Sequence, residues 1–396
     1  MPDFRSFPAL RYAPQVDLDL ALAPPYDVLS ETDVEELHER SPYNITHIDV
    51  PENQDYARAG QLLREWIARR ILVQDARETL SIYRLNFVDS AGCAHEILGV
   101  MGGLEVVDEG PGASVLPHEH TTPEASADRL ELMRATAANT SPVWGLSLAS
   151  GLTDALREPG EIPRSVTVEG VTHTVERISD PVRIAAIREI LASDGVLIAD
   201  GHHRYGVSRV YRDEVRAATG RRDSAAERTL AFVNELVEDQ LCLEAIHRLY
   251  AGVSPDIFRA LLANYFTFSR VESMTPAIMG EMVRSGRLVL MWPDGKAEWM
   301  TPKPGAFDQV RNLDGVWLET ALAGIKADVT YQHGFSEMRD RVASGEYTAG
   351  ILIRPTAIEE IRRTAREGLL MPPKSTFFTP KLLTGWVVRP TQPLPR

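Results

Sequence analysis

The sequence predicts an α+β protein, and two β-hairpins set among helices are the main observation behind this class. Apolar and polar residues alternate over residues 81–88 and 95–107 around an Asp-Ser-Ala-Gly turn, and over residues 288–292 and 297–300 around a Pro-Asp-Gly-Lys turn. Other segments carry apolar residues at helical spacing. The sequence has no internal repeat and no low-complexity tract. Hairpins with intervening helices are typical of the α+β class.

Composition excludes several classes of protein. The chain has 396 residues, 44% hydrophobic and 25% charged, and a net charge of −14. A chain of this length and apolar content can bury a large core, which excludes disordered, collagen-like and disulfide-scaffold proteins. The cysteines, Cys93 and Cys242, are too few for a bridge framework and fit a reducing compartment.

Charge and hydropathy narrow the expected location and partners. The sequence shows neither a secretory signal nor an apolar run of about 18 residues, so we expect a soluble, cytoplasmic protein. Because a polyanion would be repelled by most of a surface with this net charge, nucleic acid and anionic membranes are not expected partners. We expect a small-molecule substrate; a homo-oligomer is compatible with the sequence, which does not fix the oligomeric state.

Local signals predict the other elements of the first 250 residues. The prolines of residues 4–28 fix φ and favour an extended opening segment. Ser30 can cap a helix with acidic first turns, and residues 195–199 form an apolar run suited to a short buried strand. In chain order, we predict helices at 30–40, 55–70, 126–138, 181–192 and 202–218, a strand at 45–50, and strand and loop from 146 to 175.

The pattern restarts near Tyr250, where we place a domain boundary. A helix at 256–265 precedes the second hairpin, and a strand at 348–353 leads into a helix at 356–367 that Gly368 can terminate. The chain therefore divides into a part at 1–250 and a smaller α+β part at 251–396.

The strongest local signal is the string Asp200-Gly201-His202-His203-Arg204, which joins a buried strand to a helix. The first backbone N–H groups of such a helix are unpaired and favour an anion such as phosphate. Gly201 allows close approach of an anion, Arg204 offers a bidentate fork, and His202 and His203 can donate or shuttle protons. Residues 201–222 hold six arginines and two acids. A capped helix with a solvated basic face is the plainer alternative.

Two further clusters carry chemistry. In the first, Glu119 lies between His118 and His120 and can act as a general base or contribute to a metal site, although two histidines alone assign no metal. The second, residues 371–381, is stiffened by prolines and can hold phosphate or carboxylate, but it is not a Walker loop. The polar residues that accompany these clusters are Arg129, Asn139 and Ser141 in the first, and Lys374, Ser375, Thr376 and Lys381 in the second.

Seven short motifs occur together between Phe4 and Trp386. They are Pro24-Pro25-Tyr26-Asp27-Val28, Ser41-Pro42-Tyr43-Asn44, Pro117-His118-Glu119, Asp128-Arg129-Leu130, Asn139 with Ser141-Pro142, Asp200 to Tyr205, and Pro372-Pro373-Lys374-Ser375-Thr376. This combination resembles a prokaryotic family known as domain of unknown function 1015.

The Asp-Gly-His-His-Arg string is also similar to the phosphate-binding turn of the ParB and sulfiredoxin superfamily, especially of the free serine kinases. The resemblance implies a ParB/sulfiredoxin-like core in the first part. It implies that Gly201 to Arg204 bind phosphate and that Asp200 and His202 lie beside the acceptor. The catalytic carboxylate of the kinases has no aligned counterpart, so Glu119 and Asp27 are both candidates. His202 replaces the cysteine that sulfiredoxins need, and no basic helix-turn-helix suggests DNA binding.

The leading hypothesis is therefore a phosphotransfer enzyme, kinase or phosphatase, acting on free serine or phosphoserine. Mg²⁺ is the expected cofactor, with ATP, ADP or pyrophosphate as donor, and His118, Arg129, Asn139 and Ser141 are the expected substrate contacts. One alternative is a metal-dependent hydrolase using His118, His120 and His202 or His203. Another is a non-catalytic nucleotide-binding regulator that uses the same turn.

Overall fold

The computed structural model describes residues 1–89, 92–110, 112–116, 125–372 and 374–393, and the chain divides into two compact units. The first unit comprises Met1–Leu241 and Pro380–Arg396, and the second comprises Cys242–Thr379. The structure thus differs from the predicted division at Tyr250. The end of the chain belongs to the first unit, because its last strand, Arg389–Pro390, pairs with Ala138–Asn139 of that unit.

Helices occupy both units. In chain order they are α1 Leu18–Ala21, α2 Glu31–Arg40, α3 Thr46–Asp49, α4 Tyr56–Ala68, α5 Ala125–Thr136, α6 Leu152–Arg157, α7 Pro181–Leu191, α8 His202–Thr219, α9 Pro255–Leu262, α10 Ile278–Ser285, α11 Asp314–Ala321, α12 Phe335–Ala343 and α13 Ile358–Glu367. Ser30 caps α2 with a complete capping box, and Gly368 ends α13 in the left-handed conformation, both as the sequence predicts.

Strands are short in both units apart from the central hairpin of the first. They are β1 Phe4–Arg5, β2 Leu10–Tyr12, β3 Leu72–Gln74, β4 Leu80–Val88, β5 Ala94–Glu105, β6 Val115–Leu116, β7 Ala138–Asn139, β8 Val143–Ser147, β9 Glu161–Val168, β10 Val171–Ile178, β11 Val196–Asp200, β12 Arg228–Glu235, β13 Leu243–Glu244, β14 His247–Ala251, β15 Phe266–Arg270, β16 Leu288–Met291, β17 Ala297–Pro302, β18 Asp328–Gln332, β19 Ala349–Leu352, β20 Phe377–Phe378 and β21 Arg389–Pro390. With its helices, this arrangement confirms the predicted α+β class.

The first unit is built on a mixed sheet. Within the described ranges, nine strands form it in the order β6-β11-β8-β12-β5-β4-β10-β9, with β1 also paired to β5. The predicted hairpin is β4–β5, whose ladder runs from Ser81↔Met101 to Val88↔Ala94. Apolar side chains of the sheet pack with those of α6 and α7 in one buried core. The sheet places the end of β11, with Asp200, beside β8.

The second unit has its own core around an antiparallel sheet. Its order across the described strands is β15-β17-β16-β19-β14-β18, and the second predicted hairpin is β16–β17. Buried residues such as Phe258, Phe266 and Leu318 fill one cluster, and Met282, Trp299 and Met338 belong to another. No helix that the structure describes, in either unit, combines the length and the apolar character needed to cross a bilayer.

Three predicted elements are wrong. The opening segment 4–28, predicted as extended, contains the short helix α1, which Asp17 caps by accepting from Asp19 N at 3.1 Å. Residues 45–50 contain the short helix α3 instead of a strand, because Asn44 Oδ1 accepts hydrogen bonds from Thr46 N and Oγ1 at 3.0 and 2.7 Å and starts a helical turn. The region 146–175, predicted as strand and loop, contains α6. Its first N–H groups are capped by Glu235 of β12, which accepts from Gly151 N and Thr153 N at 3.1 and 2.8 Å. That cap is remote in sequence and leaves no local signal.

Candidate functional site

The site is built around the turn between β11 and α8. The strand is buried up to Ala199, Asp200 is partly exposed, and Gly201 adopts a left-handed φ of 83° before α8 begins at His202. The N-cap position of this 18-residue helix is Gly201, which has no side chain to cap it. The N-terminus of a helix favours an anion, because its first backbone N–H groups point out of the helix.

Asp200 holds two cations. Arg204 Nη2 lies 3.0 Å from Asp200 Oδ2, and Lys381 Nζ lies 3.4 Å from Oδ1. Burial raises the pKa of Asp200, but the charges of Lys381 and Arg204, followed by that of His202, outweigh it and hold the pKa below its ordinary value. The carboxylate is therefore ionised at neutral pH.

Arg204 folds back over Gly201. A Cβ on Gly201 would lie 2.9 Å from Arg204 Nε, so the guanidinium occupies the space that the sequence assigned to an approaching anion. Arg204 Nη1 donates to Pro142 O, while Nε is buried and has no hydrogen-bond partner among the described residues. Burial by itself lowers the pKa of Arg204. The nearby acidic groups, Asp200 and Asp27 first among them, outweigh burial, so the pKa of Arg204 lies above its ordinary value. Arg204 is thus a fixed positive charge with one unused donor.

Lys381 is unusual in its own unit. The chain has five lysines, and Lys381 is the one that falls within Met1–Leu241 or Pro380–Arg396. Every other strong cationic side chain in those ranges is an arginine. The ammonium of a lysine is a compact point charge that can bind phosphate, whereas an arginine forms fixed bidentate pairs. Its position against Asp200 is the feature that sequence reasoning did not anticipate.

The other residues predicted to bind phosphate alongside Lys381 belong to the second unit. Lys374 O accepts from Arg248 Nη2 at 3.2 Å, and Ser375 Oγ donates to Pro372 O at 2.6 Å. Thr356 Oγ1 donates to Ser375 O at 2.7 Å. These bonds hold the Lys374–Thr376 loop within its own unit, and its phosphate-binding role stays a prediction.

A small cavity with both polar and apolar lining residues adjoins Arg204. Its volume is about 40 Å³, room for roughly three water molecules by the usual measure, so a nucleotide would have to lie outside it. The polar lining includes three of the predicted substrate contacts, Arg129, Asn139 and Ser141. The polar residues of the lining are Tyr26, Asp49, Arg129, Asn139, Thr140, Ser141, Arg204 and Thr229.

Three contacts hold the Arg129 side chain beside this cavity. Its guanidinium carbon lies 4.4 Å from the centroid of the Tyr26 ring, Nη1 donates to Asp49 O at 2.6 Å, and Nε donates to Asp128 Oδ2 at 2.6 Å. Arg134, five residues further on, is exposed and pairs with glutamates instead. The structure thus brings Arg129 to the site and leaves Arg134 outside it.

Asp49 and Thr140 are site residues that the sequence analysis missed. Asp49 is 3% exposed, and Thr140 Oγ1 donates to its Oδ1 at 2.5 Å. Arg129 Nη1 lies 3.9 Å from the same oxygen. The signal available in the sequence was Asp49, the single carboxylate in the predicted strand 45–50. A carboxylate that is buried with such a segment requires charged or hydrogen-bonding partners.

Asp27 is the predicted base that the structure describes. It is exposed within the 3₁₀ turn Tyr26–Val28, and its charge contributes to raising the pKa values of Arg204 and Tyr26. It forms no ion pair with another described side chain. The other candidate base, Glu119, and the predicted His118 and His120 lie outside the described residues, so the alternative hydrolase built on those histidines stays a prediction.

The basic helix predicted over residues 201–222 is largely neutralised. Four of its arginines pair with acids that lie outside α8, so α8 does not present a broad basic face. These pairs are Arg209–Glu109, Arg212–Asp108, Arg216–Glu227 and Arg221–Asp223. Positive charge at the site therefore comes from Arg204, Arg129 and Lys381. Among the described residues no group of three or more His, Cys, Asp or Glu side chains is arranged to hold a metal ion.

Comparison with known proteins identifies a family. A family model described as "Protein of unknown function (DUF1015)" matches residues 4–316. No curated protein matches the chain.

Several solved structures are similar at low identity. A free serine kinase in complex with AMP is 14% identical with a TM-score of 0.35, covering 67% of this chain and 84% of the kinase. SbnI with a C-terminal truncation, from Staphylococcus aureus, is 10% identical with a TM-score of 0.38, covering 72% and 85%. A conserved hypothetical protein from Pyrococcus furiosus is 12% identical with a TM-score of 0.36, covering 67% and 87%. Likeness at this level assigns no activity.

Proposed function

The chain belongs to the DUF1015 family of proteins of unknown function, and we propose that it is a phosphotransfer enzyme acting on free serine or phosphoserine. The single observation that carries the proposal is the cluster of Lys381, Asp200 and Arg204 at the start of α8. Phosphoryl transfer depends on fixed positive charge around the transferring group, and this cluster supplies two cations at a helix N-terminus. The Asp-Gly-His-His-Arg motif adds the resemblance to the free serine kinases.

In this proposal the phosphate lies over the first turn of α8. Lys381 and the backbone N–H groups contact its oxygens, and Asp200 orients Lys381 and Arg204 through its two ion pairs. His202 and His203, the first residues of the helix, supply further donors. Arg204 Nε is the remaining guanidinium donor. The neighbouring cavity, with Arg129, Asn139 and Ser141, would hold the carboxylate or ammonium end of the amino acid through ordered water, because its volume is too small for the whole substrate.

Asp27 is the proposed base. It is an exposed carboxylate beside Arg204 that is not consumed by an ion pair among the described residues. In the kinase direction the serine hydroxyl gives its proton to Asp27, its oxygen bonds to phosphorus, and the bond from phosphorus to the donor's leaving oxygen breaks. In the phosphatase direction water replaces serine and serine is the leaving group.

Mg²⁺ is the cofactor expected for this reaction. In phosphoryl-transfer sites it is held by one or two carboxylates together with substrate phosphate oxygens. Because Asp27 is the proposed base, the phosphate oxygens would supply most of the ligands of the ion here. When bound, the ion would neutralise charge on the phosphate groups. Lys381 and Arg204 would act on the phosphate through their own positive charges, in addition to the ion.

The first prediction is turnover that depends on Lys381 and Asp27. The protein is incubated with phosphoserine, or with serine plus ATP, ADP or pyrophosphate, and phosphorus species are followed by ³¹P NMR. Lys381→Met and Asp27→Asn should each lower the rate by about 100-fold or more, as losses of charge stabilisation and of a general base do. Lys296→Met, which removes an exposed ammonium paired with Asp294, and Asp19→Asn, which removes an exposed carboxylate, are the matched controls.

Full activity of the Lys381→Met protein would contradict the placement of the phosphate at this turn. Absence of turnover with every donor, together with nucleotide binding that Lys381→Met abolishes, would favour the regulatory alternative over the enzyme.

A further inference from the structure

A second polar groove lies in the first unit and shares no lining residue with the cavity beside Arg204. Its volume is about 940 Å³, within the range of small-molecule sites. It is lined by β1, the ends of α8 and β12, and the chain around β21. Its described charged residues are Arg5, Arg188, Arg221, Arg228 and Arg389 on the basic side and Glu78 and Asp223 on the acidic side. The lining is thus positive in a chain whose net charge is −14.

Arg389 is the buried centre of this groove. It is 3% exposed, and its hydrogen bonds all go to neutral oxygens. Nη1 donates to Arg228 O at 2.7 Å and to Asn139 Oδ1 at 3.2 Å, and Nη2 donates to Ala225 O at 2.6 Å. Over the described ranges Arg389 forms no ion pair, and Nε has no hydrogen-bond partner. A buried, rigidly held guanidinium without a counter-ion is costly and favours an external anion.

The electrostatics of Arg389 agree with this geometry. Burial, and secondarily the charge of Arg228, lower the pKa of Arg389 to about 9. A guanidinium ordinarily titrates far above that value, so no described acid compensates the burial of its charge. Asp3 contacts Arg5, Arg188 and Arg228.

Ser224 and Gly103 line the groove together with Arg389. Ser224 Oγ lines the same groove, is buried, and has no hydrogen-bond partner in the part of the chain that the structure describes. It precedes the 3₁₀ turn Ala225–Glu227 without capping it. On β5, a Cβ at Gly103 would lie 3.2 Å from Arg389 Nε, so the glycine lets the guanidinium pack closely against the strand.

We propose that this groove binds the oxyanion group, phosphate or carboxylate, of a small metabolite. Arg389 Nε and Ser224 Oγ are the fixed inner donors. Arg5 and Arg188, which are 53% and 42% exposed, supply adaptable outer charges. The site is separate from the proposed phosphotransfer site and does not depend on that activity.

The test is calorimetric titration of the full-length protein with inorganic phosphate and, separately, with malonate. Ser224→Ala and Gly103→Ala should each weaken binding about tenfold or more, because the first removes a donor to the anion and the second pushes Arg389 Nε from its position. Arg157→Gln is the control, because it removes an exposed arginine paired with Asp154 outside the groove. Melting temperatures without anion establish that the variants fold.

The same titrations in Lys381→Met protein separate the two sites. Anion binding that persists there and falls with Ser224→Ala supports the groove, and the preferred anion identifies the ligand group. The proposal is overturned if neither anion binds, or if folded Ser224→Ala and Gly103→Ala proteins bind as the wild type does.

Discussion

Gly201 illustrates how one residue satisfies two constraints at the site. Its φ of 83° lies in the left-handed region, and a Cβ there would meet the Arg204 guanidinium at 2.9–3.0 Å. The first constraint makes the strand-to-helix turn, and the second lets Arg204 reach Asp200. Gly206, five residues later within α8, has neither constraint, because a Cβ there would meet nothing within 4 Å.

These two glycines give a matched pair of predictions. Gly201→Ala should lower the free energy of unfolding by about 1–3 kcal/mol, the cost of a strained left-handed residue. Gly206→Ala should raise it by about 0.5–1 kcal/mol, because alanine favours an unstrained helix interior. Urea unfolding followed by circular dichroism measures both. Equal effects of the two substitutions would mean that the turn geometry is not as described.

At this scale the sequence could indicate Asp200 and Arg204 but not all of their partners. The Asp-Gly-His-His-Arg string is local, and a strand–glycine–helix turn has a recognisable physical meaning. Lys381 lies 181 residues from Asp200, and Thr140 lies 91 residues from Asp49. Such pairs are created by the fold, so a single sequence contains no spacing that reveals them.

At the scale of elements, long patterned segments were predictable and short ones were not. The β4–β5 hairpin and the helices with continuous apolar stripes carry their own signals. The four-residue helix α3 and the six-residue α6 are too short for periodicity to decide, and distant or side-chain caps start them. The predicted basic face of α8 failed for a related reason, since its neutralising acids lie on other segments.

The pairing of β10 with β4 buries a histidine that should make stability pH-dependent. His173 is 2% exposed, its Nδ1 lies within hydrogen-bond distance of Tyr83 Oη at 2.7 Å, and Tyr83 Oη accepts from Leu383 N at 3.1 Å. Burial lowers the pKa of His173 to about 4. The unfolded chain, with an ordinary histidine pKa, therefore binds the proton first as the pH falls.

Stability from this group should be complete above the ordinary histidine pKa and decline as the pH falls toward 4. Between about pH 7.5 and about pH 5 the loss should be about 2 kcal/mol. His173→Asn keeps an acceptor for Tyr83 but cannot titrate, so its unfolding free energy should vary less over this interval by that amount. His333→Asn, at an exposed position, is the control. Unchanged pH dependence in His173→Asn would contradict the assignment.

At the scale of the whole molecule, the first unit is discontinuous in sequence. Its proposed site residues Asp27, Asp200 and Lys381 come from both chain segments that form the unit. The last segment is joined to the rest of the first unit by β21, which pairs with β7, and by an antiparallel β-bridge between Val388 and Leu10. The second unit is therefore an insertion into the first, which a single boundary at Tyr250 did not capture.

The insertion has adjacent ends, which leads to the last prediction. Leu243 pairs with Phe378, and Thr379 N donates to Cys242 O at 3.1 Å, so the chain enters and leaves the second unit at neighbouring points. A protein in which a short Gly-Ser linker joins Leu241 to Pro380 should therefore fold, because few residues suffice to close the gap. A chain ending at Leu241 should not fold, because it lacks β21 and buried Trp386. Calorimetry should show one cooperative unfolding transition for the linked protein and none for the truncated one. A cooperative transition in the truncated chain would show that the first unit folds without Pro380–Arg396.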